Sequence, residues 1–265
     1  VKRIAFTGST EVGRQVAATA TPLLKHVTLE LGGSDPTVVA EDADLALAAE
    51  TIVRSGRFRN AGQSCTSVKR VYVVASVFER FMDLLTAATK ALRVGDGLVP
   101  ETDMGPLNNE QQREDVERLL ADALARGAEA VVGGRRLTEG AYARGYFFAP
   151  TVLVNVPPDA AIWREECFGP VLPVMAVRDL EEGIARANET AYGLGAGLWS
   201  QSDGTIERFI AGIESVIVWV NYKPLSVPET PFGGVKDSGV GRELGAEGLA
   251  EYLETKSIRK YIGRA

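Results

Sequence analysis

The chain has 265 residues, 45% hydrophobic and 24% charged, proportions that exclude disordered, collagen-like and solenoid organisation and leave room for one large domain or two modest ones. A compact fold of this length hides roughly 70 to 75% of the unfolded chain's surface, enough to hold together without disulfides. The formal net charge of -6, from 29 basic and 35 acidic side chains, argues against nucleic acid as a partner, and no apolar run approaches the ~20 residues of a membrane helix.

Short β-branched runs alternate with Ala- and Leu-rich segments of helical period, the pattern of βαβ units, so an α/β fold with a mainly parallel sheet is expected. Residues 2–6 read as a strand entering a turn, not as a secretory leader. The chain is in regular structure at once from Val1, as expected of a processed or alternative start or of a piece of something longer. A helix follows over 11–20 and a short strand over 27–30. Two glycines, an Asp and a Pro within residues 31–36 interrupt any element, which places a domain boundary after residue 34. Beyond it a strand is expected over 37–40, then a helix over 43–57 introduced by Asp42. The polar loop 59–67 precedes a strand over 68–74. Residues 76–79 (Ser-Val-Phe-Glu) have capping-box spacing and predict a helix reaching about residue 92. Another helix spans 110–126, stopped by Gly127. Further strands are expected over 148–154, 171–177, 194–199 and 215–220, with helices over 180–187 and 206–211. The glycine-rich loop 231–241 leads into a last helix and a closing strand over 256–262, whose edge invites pairing with a second subunit.

Several residues attract chemical attention. Gly8 and Gly13 bracket a strand-to-helix turn whose amides suit an anion, but the spacing is neither the dinucleotide fingerprint nor a P-loop, so an ordinary turn fits as well. Cys65 sits in a polar loop with Lys69 and Arg70 close behind, and positive charge there favours the thiolate; a buried structural cysteine remains the alternative. So low a cysteine count suits a reducing compartment, hence a cytoplasmic location. His26, the single histidine, shares a strand face with Glu30 if both are extended, which leaves a Cys-His-Glu hydrolase formally open. Glu30 lies between Leu29 and Leu31, surroundings that raise a carboxyl pKa and suit a general base; a solvent-facing strand end is the plain alternative. Glu165 and Glu166 pair in a turn that also reads as simply solvated. No His and Cys cluster has zinc spacing, and no metal is expected.

Taken together, residues 6–13 (Phe-Thr-Gly-Ser-Thr-Glu-Val-Gly), 29–33 (Leu-Glu-Leu-Gly-Gly), 60–65 (Asn-Ala-Gly-Gln-Ser-Cys), 166–170 (Glu-Cys-Phe-Gly-Pro) and 231–239 (Pro-Phe-Gly-Gly-Val-Lys-Asp-Ser-Gly) resemble, in the same order, the aldehyde dehydrogenase superfamily. The resemblance implies an aldehyde dehydrogenase-like catalytic domain with a remnant of a Rossmann-like cofactor domain. It implies that Cys65 is the nucleophile, forming a thiohemiacetal and then a thioester, and that Glu30 activates the hydrolytic water. It assigns Gly8, Ser9 and Gly13 to the cofactor's phosphates and approach, and Glu166 with Phe168 to the nicotinamide end, the cofactor being NAD or NADP. Asn221 falls on a motif asparagine, with positioning and purely structural roles both open.

Members of the superfamily are about twice as long, so the resemblance is to their C-terminal half. On this reading, residues 1–34 are part of the NAD(P)-binding domain, 35–240 the catalytic domain, and 241–265 a helix and strand that join subunits into a homodimer or homotetramer. The asparagine that helps bind the oxyanion would lie in the other half, and losing one such donor costs on the order of 10²- to 10³-fold in rate, so the isolated chain is expected to be inactive. Cys167 replaces a plain apolar residue, a harmless exchange. Ser34 and Asp35 lean toward semialdehyde-type branches. Acyl transfer to coenzyme A and a catalytically silent truncated subunit are the alternatives; Glu30 argues against the first.

Overall fold

The computed structural model describes residues 1–263. Strands β1 (Arg3–Thr7) and β2 (His26–Glu30) run parallel, connected by helix α1 (Thr10–Ala20). Ser9 starts that helix by accepting a hydrogen bond from the Val12 amide. Gly13 lets the helix press onto the strand end, because a Cβ there would run into the Leu31 side chain.

After Ser34 the chain changes sheet. β3 (Asp35–Val39), β4 (Val68–Val74), β5 (Glu129–Val132), β6 (Thr151–Val154), β7 (Val171–Val177), β9 (Gly195–Trp199) and β10 (Ile217–Val220) form a seven-stranded sheet in the order β10-β9-β3-β4-β7-β6-β5, with β8 (Tyr192–Gly193) outside it. Every neighbouring pair is parallel except β5 with β6, so the fold is α/β with a mainly parallel sheet. All seven residues of β4 are buried, as the centre of a parallel sheet covered on both faces requires. Helices α2 (Leu45–Thr51), α3 (Phe78–Lys90), α4 (Glu110–Ala125), α5 (Leu180–Asn188) and α6 (Asp203–Gly212) cover the sheet, contributing Ala48, Phe81, Leu119, Ala187 and Phe209 to the core.

The glycine-rich loop contains two short strands, β11 (Val235–Lys236) and β12 (Gly239–Val240), followed by α7 (Gly245–Ala250). β11 pairs with β8, and β12 lies antiparallel to β2. The loop therefore returns to the sheet where the chain began, and the residues on either side of the expected 34/35 boundary are tied by it.

Four local expectations are corrected. The helix over 43–57 is instead α2, capped by Asp44, continuing into a π-helical turn at Ile52–Arg57. Asp42 does not cap, because its carboxylate accepts from Ser200 Oγ and the Gln201 amide. The capping box at 76–79 does not form: a 3-10 turn occupies Ala75–Val77, and α3 begins without a side-chain cap. The strand over 148–154 is shortened to β6 because Pro150 has no N–H to give the ladder. The closing strand is absent: residues 256–262 adopt no regular structure, and Ile258, Tyr261 and Ile262 are exposed. A strand exists only against a partner, and among the described residues this segment has none; Arg264 and Ala265, at the end of the expected joining segment, lie outside those residues. No helix among them is long and apolar enough to cross a membrane.

Candidate active site

The loop before β4 is built under strain. Asn60, Ala61 and Gly62 are successive left-handed residues, with φ of 52°, 53° and 74°. Such a conformation is costly for a residue with a Cβ, and it is retained where the surroundings over-determine it. Here Asn60 Nδ2 donates to Gln63 O at 2.8 Å and Gln63 Nε2 donates back to Asn60 O at 3.0 Å. Gly62 rests on the Gly169 carbonyl where no Cβ would fit. Beneath them the buried Arg57 guanidinium donates to Ser67 Oγ, Cys167 O and Val171 O. The loop carrying Cys65 is thus fastened to the turn carrying Glu166 and Phe168.

Between these pieces opens a cavity of about 640 Å³. Gly8, Ser9, Gly32, Cys65, Glu166 and Phe168 line one side, and α4 closes the other with Gln112, Asp115 and Arg118. Of the residues the sequence singles out, the fold brings Gly8, Ser9, Cys65, Glu166 and Phe168 to one wall. Gly13 stands outside it and acts through its contact with Leu31, which does line the cavity.

Glu166 is held by one oxygen. Its Oε1 accepts from the Gly33 amide at 3.1 Å and lies 3.1 Å from Lys69 Nζ. Glycine is required at 32 because a Cβ would strike Glu166 Oε2. At 33 a Cβ would stand 2.6 Å from the Cys65 carbonyl oxygen.

The expectation that basic neighbours favour the Cys65 thiolate is only partly met. Burial pushes the thiol up, and this outweighs the downward pull of Lys69 and of the Thr66 backbone; Asp35 and Glu166 push it further up. Arg70 does not take part: its guanidinium donates to the carbonyls of Ser34 and Ala187 inside the core. Asp35, which sits behind the loop and accepts from the Gly195 amide, is pushed up to about 7, chiefly by burial.

Glu30 lies elsewhere. Its side chain is 3% exposed, neither carboxylate oxygen has a hydrogen-bond partner, and it does not line the cavity. It is packed under the glycine-rich loop, where a Cβ on Gly233 would stand 2.7 Å from Oε1. Burial first, then the charge of Glu243, raise its pKa to about 8, against the opposing pull of Arg242. The backbone of the same residue touches the cavity wall, its carbonyl accepting from the Gly8 amide at 3.1 Å.

Other candidates separate from the site. His26 is exposed on β2, with Nε2 4.0 Å from Glu254 and away from the cavity wall, so the Cys-His-Glu arrangement does not exist. Cys167 is buried in the core and faces the Arg57 guanidinium, which opposes the upward push of burial on its thiol. Asn221 is structural, bridging strand ends by accepting from Ser200 N and donating to Ser200 O. Among the described residues no group of three or more His, Cys, Asp or Glu is placed to hold a metal ion.

Sequence reading named Lys69 beside Cys65 but not its contact with Glu166, and it missed two contributors. Glu243 is one, brought against Glu30 by paired backbone bonds between Phe232 and Glu243. The other is the strain at Asn60 and Ala61, for which no composition signal exists.

The wall also fits a dinucleotide. Gly8 and Ser9 open the 11-residue helix α1 into the cavity, where free amides and the helix dipole favour phosphate. Glu166, Phe168 and the open backbone at Gly32 stand beside it, suited to hydroxyls and a flat ring.

Residues 1–258 match the Aldehyde dehydrogenase family. The chain is 43% identical over 253 residues to the NADP(+) succinate-semialdehyde dehydrogenase 1 of Mycobacterium tuberculosis, covering 96% of this chain and 54% of that one. It superposes on lactaldehyde dehydrogenase from Escherichia coli with a TM-score of 0.92 at 37% identity, covering 97% of this chain and 53% of that one. It likewise superposes on a betaine aldehyde dehydrogenase variant from Staphylococcus aureus in complex with NAD+, with a TM-score of 0.93 at 36% identity over 97% of this chain and 52% of that one. The chain spans about half the length of the curated relatives it matches.

Proposed function

Because the chain belongs to the aldehyde dehydrogenase family, we propose that it carries the nucleophile, the general base and part of the cofactor cradle of an NAD(P)-dependent enzyme that oxidises an aldehyde to a carboxylic acid. The observation that carries this reading is the common wall on which Cys65 meets Gly8, Ser9, Glu166 and Phe168. A nicotinamide dinucleotide held by those four cofactor-side residues would supply the hydride acceptor. Cys65 Sγ adds as thiolate to the aldehyde carbon, and the Cys65 backbone N–H faces the resulting oxyanion. Oxidation of that adduct leaves a thioester on Sγ. Glu30, whose backbone backs the cavity wall at Gly8 while its carboxylate lies behind the glycine-rich loop, would then take a proton from a water admitted past that loop; the hydroxide attacks the thioester carbon, and the thiolate leaves as the carboxylic acid is released. The pKa of Glu30, raised to about 8 chiefly by burial, makes the ionised carboxylate a stronger base than an ordinary one, and the step should gain as rising pH ionises it.

A semialdehyde is the substrate class this reading favours, supported by curated relatives named for succinate semialdehyde, and NADP is the favoured cofactor on the same ground. The chain would form the C-terminal half of the enzyme, with residues 1–34 completing a dinucleotide-binding sheet. Assembly into a homodimer or homotetramer through 256–262 is part of the proposal, supported by the exposed Ile258, Tyr261 and Ile262.

The test is kinetic, in the protein expressed from its full reading frame. Cys65→Ser is expected to abolish reduced-cofactor formation from succinate semialdehyde. Glu30→Gln is expected to release about one equivalent per site and then stall as the acyl-enzyme. Steady turnover by Glu30→Gln would remove Glu30 from its role, and strict dependence on coenzyme A would replace water as the acceptor.

A further inference from the structure

The buried lysine in β4 has an arrangement that the dehydrogenase reading does not use. Lys69 is 1% exposed in the middle of the parallel sheet. Its ammonium donates to Ser64 O at 2.9 Å and to Cys65 O at 2.7 Å, and it stands 3.1 Å from Glu166 Oε1. An ammonium has three hydrogens to give, and these three acceptors use all of them. Placing a charge in so apolar a strand is costly, and that cost is offset only if the partners stay in place. The face of the Phe168 ring, centred 6.0 Å from Nζ, completes the enclosure.

We propose that Lys69 is a positioning residue: by binding the Ser64 and Cys65 carbonyls together with Glu166, its ammonium locks the nucleophile loop to the cofactor-side carboxylate and makes the reactivity of Cys65 depend on the charge of Glu166. The proposal deepens the dehydrogenase reading, resting on Cys65 as nucleophile and Glu166 on the cofactor side. The geometry favours a direct coupling over a merely structural one. One hydrogen-bonding centre serves both residues, so removing the charge on either side changes what the other feels. Charged groups face Cys65 from each element around it: Lys69 from β4, Asp35 from β3, Glu166 from the turn before β7, and Asp115 with Arg118 from α4 across the cavity. Lys69 exerts the leading downward pull on the thiol, while Arg118 on the far side of the cavity is paired with Glu165.

The experiment is alkylation of Cys65 by iodoacetamide in the protein expressed from its full reading frame, followed by peptide mass spectrometry from about pH 6 to about pH 10 with neither aldehyde nor dinucleotide present. Lys69→Met should move the inflection to higher pH and slow alkylation at neutral pH roughly tenfold. Glu166→Gln, which leaves the ammonium unopposed, should move it to lower pH. The double variant should not show the sum of the two shifts. Loosening of the loop would move both single variants the same way, so shifts in one direction, or profiles matching the parent, overturn the proposal. If Lys69→Met does not fold, Lys69→Gln removes the charge while keeping a donor for the carbonyls, and the same opposite shifts are required. Alkylation needs no turnover, so this result stands apart from the kinetic test: dehydrogenase activity with unmoved profiles defeats the lysine coupling alone.

Discussion

Two glutamates, Glu30 and Glu166, flank the same cavity wall and are treated in opposite ways. Glu30 is sealed under the glycine-rich loop with no hydrogen-bond partner, and burial lifts its pKa to about 8. Glu166 is given an amide from Gly33 and the ammonium of Lys69, both on the same oxygen. The difference teaches that the surroundings, not the side-chain type, divide the work. A buried carboxylate without donors is pushed toward its protonated form, whereas one anchored by an amide and an ammonium is fixed in orientation and can hold something in place. The two environments come from different sheets, β2 with β12 for Glu30 and the seven-stranded sheet for Lys69.

The comparison breaks most visibly at Glu30. Glu30→Gln should slow acyl-enzyme hydrolysis by roughly 10²- to 10⁴-fold, read from single-turnover kinetics. In the parent, that hydrolysis rate should rise with pH to a plateau above the pKa of about 8, and the variant should lose this dependence. Stability carries the same signature with a worked sign. The folded carboxyl stays protonated up to about 8 while the unfolded one releases its proton near 4.5, so between these values the folded state binds more protons and stability falls as pH rises. Urea midpoints across that window should fall in the parent and flatten in Glu30→Gln.

The loop that seals Glu30 offers a second, smaller lever. Gly233 has φ of 154°, and a Cβ would sit 2.7 Å from Glu30 Oε1, so Gly233→Ala should cost about 1–3 kcal/mol in urea unfolding. It should also disturb hydrolysis more than the first, acylating step. On the other side, Glu166→Gln should raise the dinucleotide KM about tenfold, with kcat changed less, as expected for loss of one charged contact worth ~1.5 kcal/mol. The least effect belongs to Asp44→Ala, which removes the cap of α2 at a cost of ~1 kcal/mol and touches neither glutamate. Its KM and hydrolysis rate should match the parent, so stability loss alone is separated from both roles.

Much of this molecule was legible before its structure. Hydrophobic period and glycine breaks determine the α/β class and the strand over 171–177, because burial on a strand or helix face is a local property of the chain. Neighbours and motif order single out Cys65, Glu30 and Glu166, and the fold puts Cys65 and Glu166 on one cavity wall. Capping chemistry was read less well: Ser76 and Asp42 have the right residue types, but competing turns and partners decide which candidate caps. The segment 256–262 has strand composition and no strand, since a ladder needs a partner that local sequence does not contain. Only the tertiary structure decided that Glu30 is sealed apart from the cavity, that Glu243 presses on it, and that Lys69 rather than Arg70 serves Cys65. Adjacent residues in a strand point to opposite faces, so which of two neighbouring cations reaches the thiol depends on what each face of β4 is packed against, and that is settled by the folded sheet.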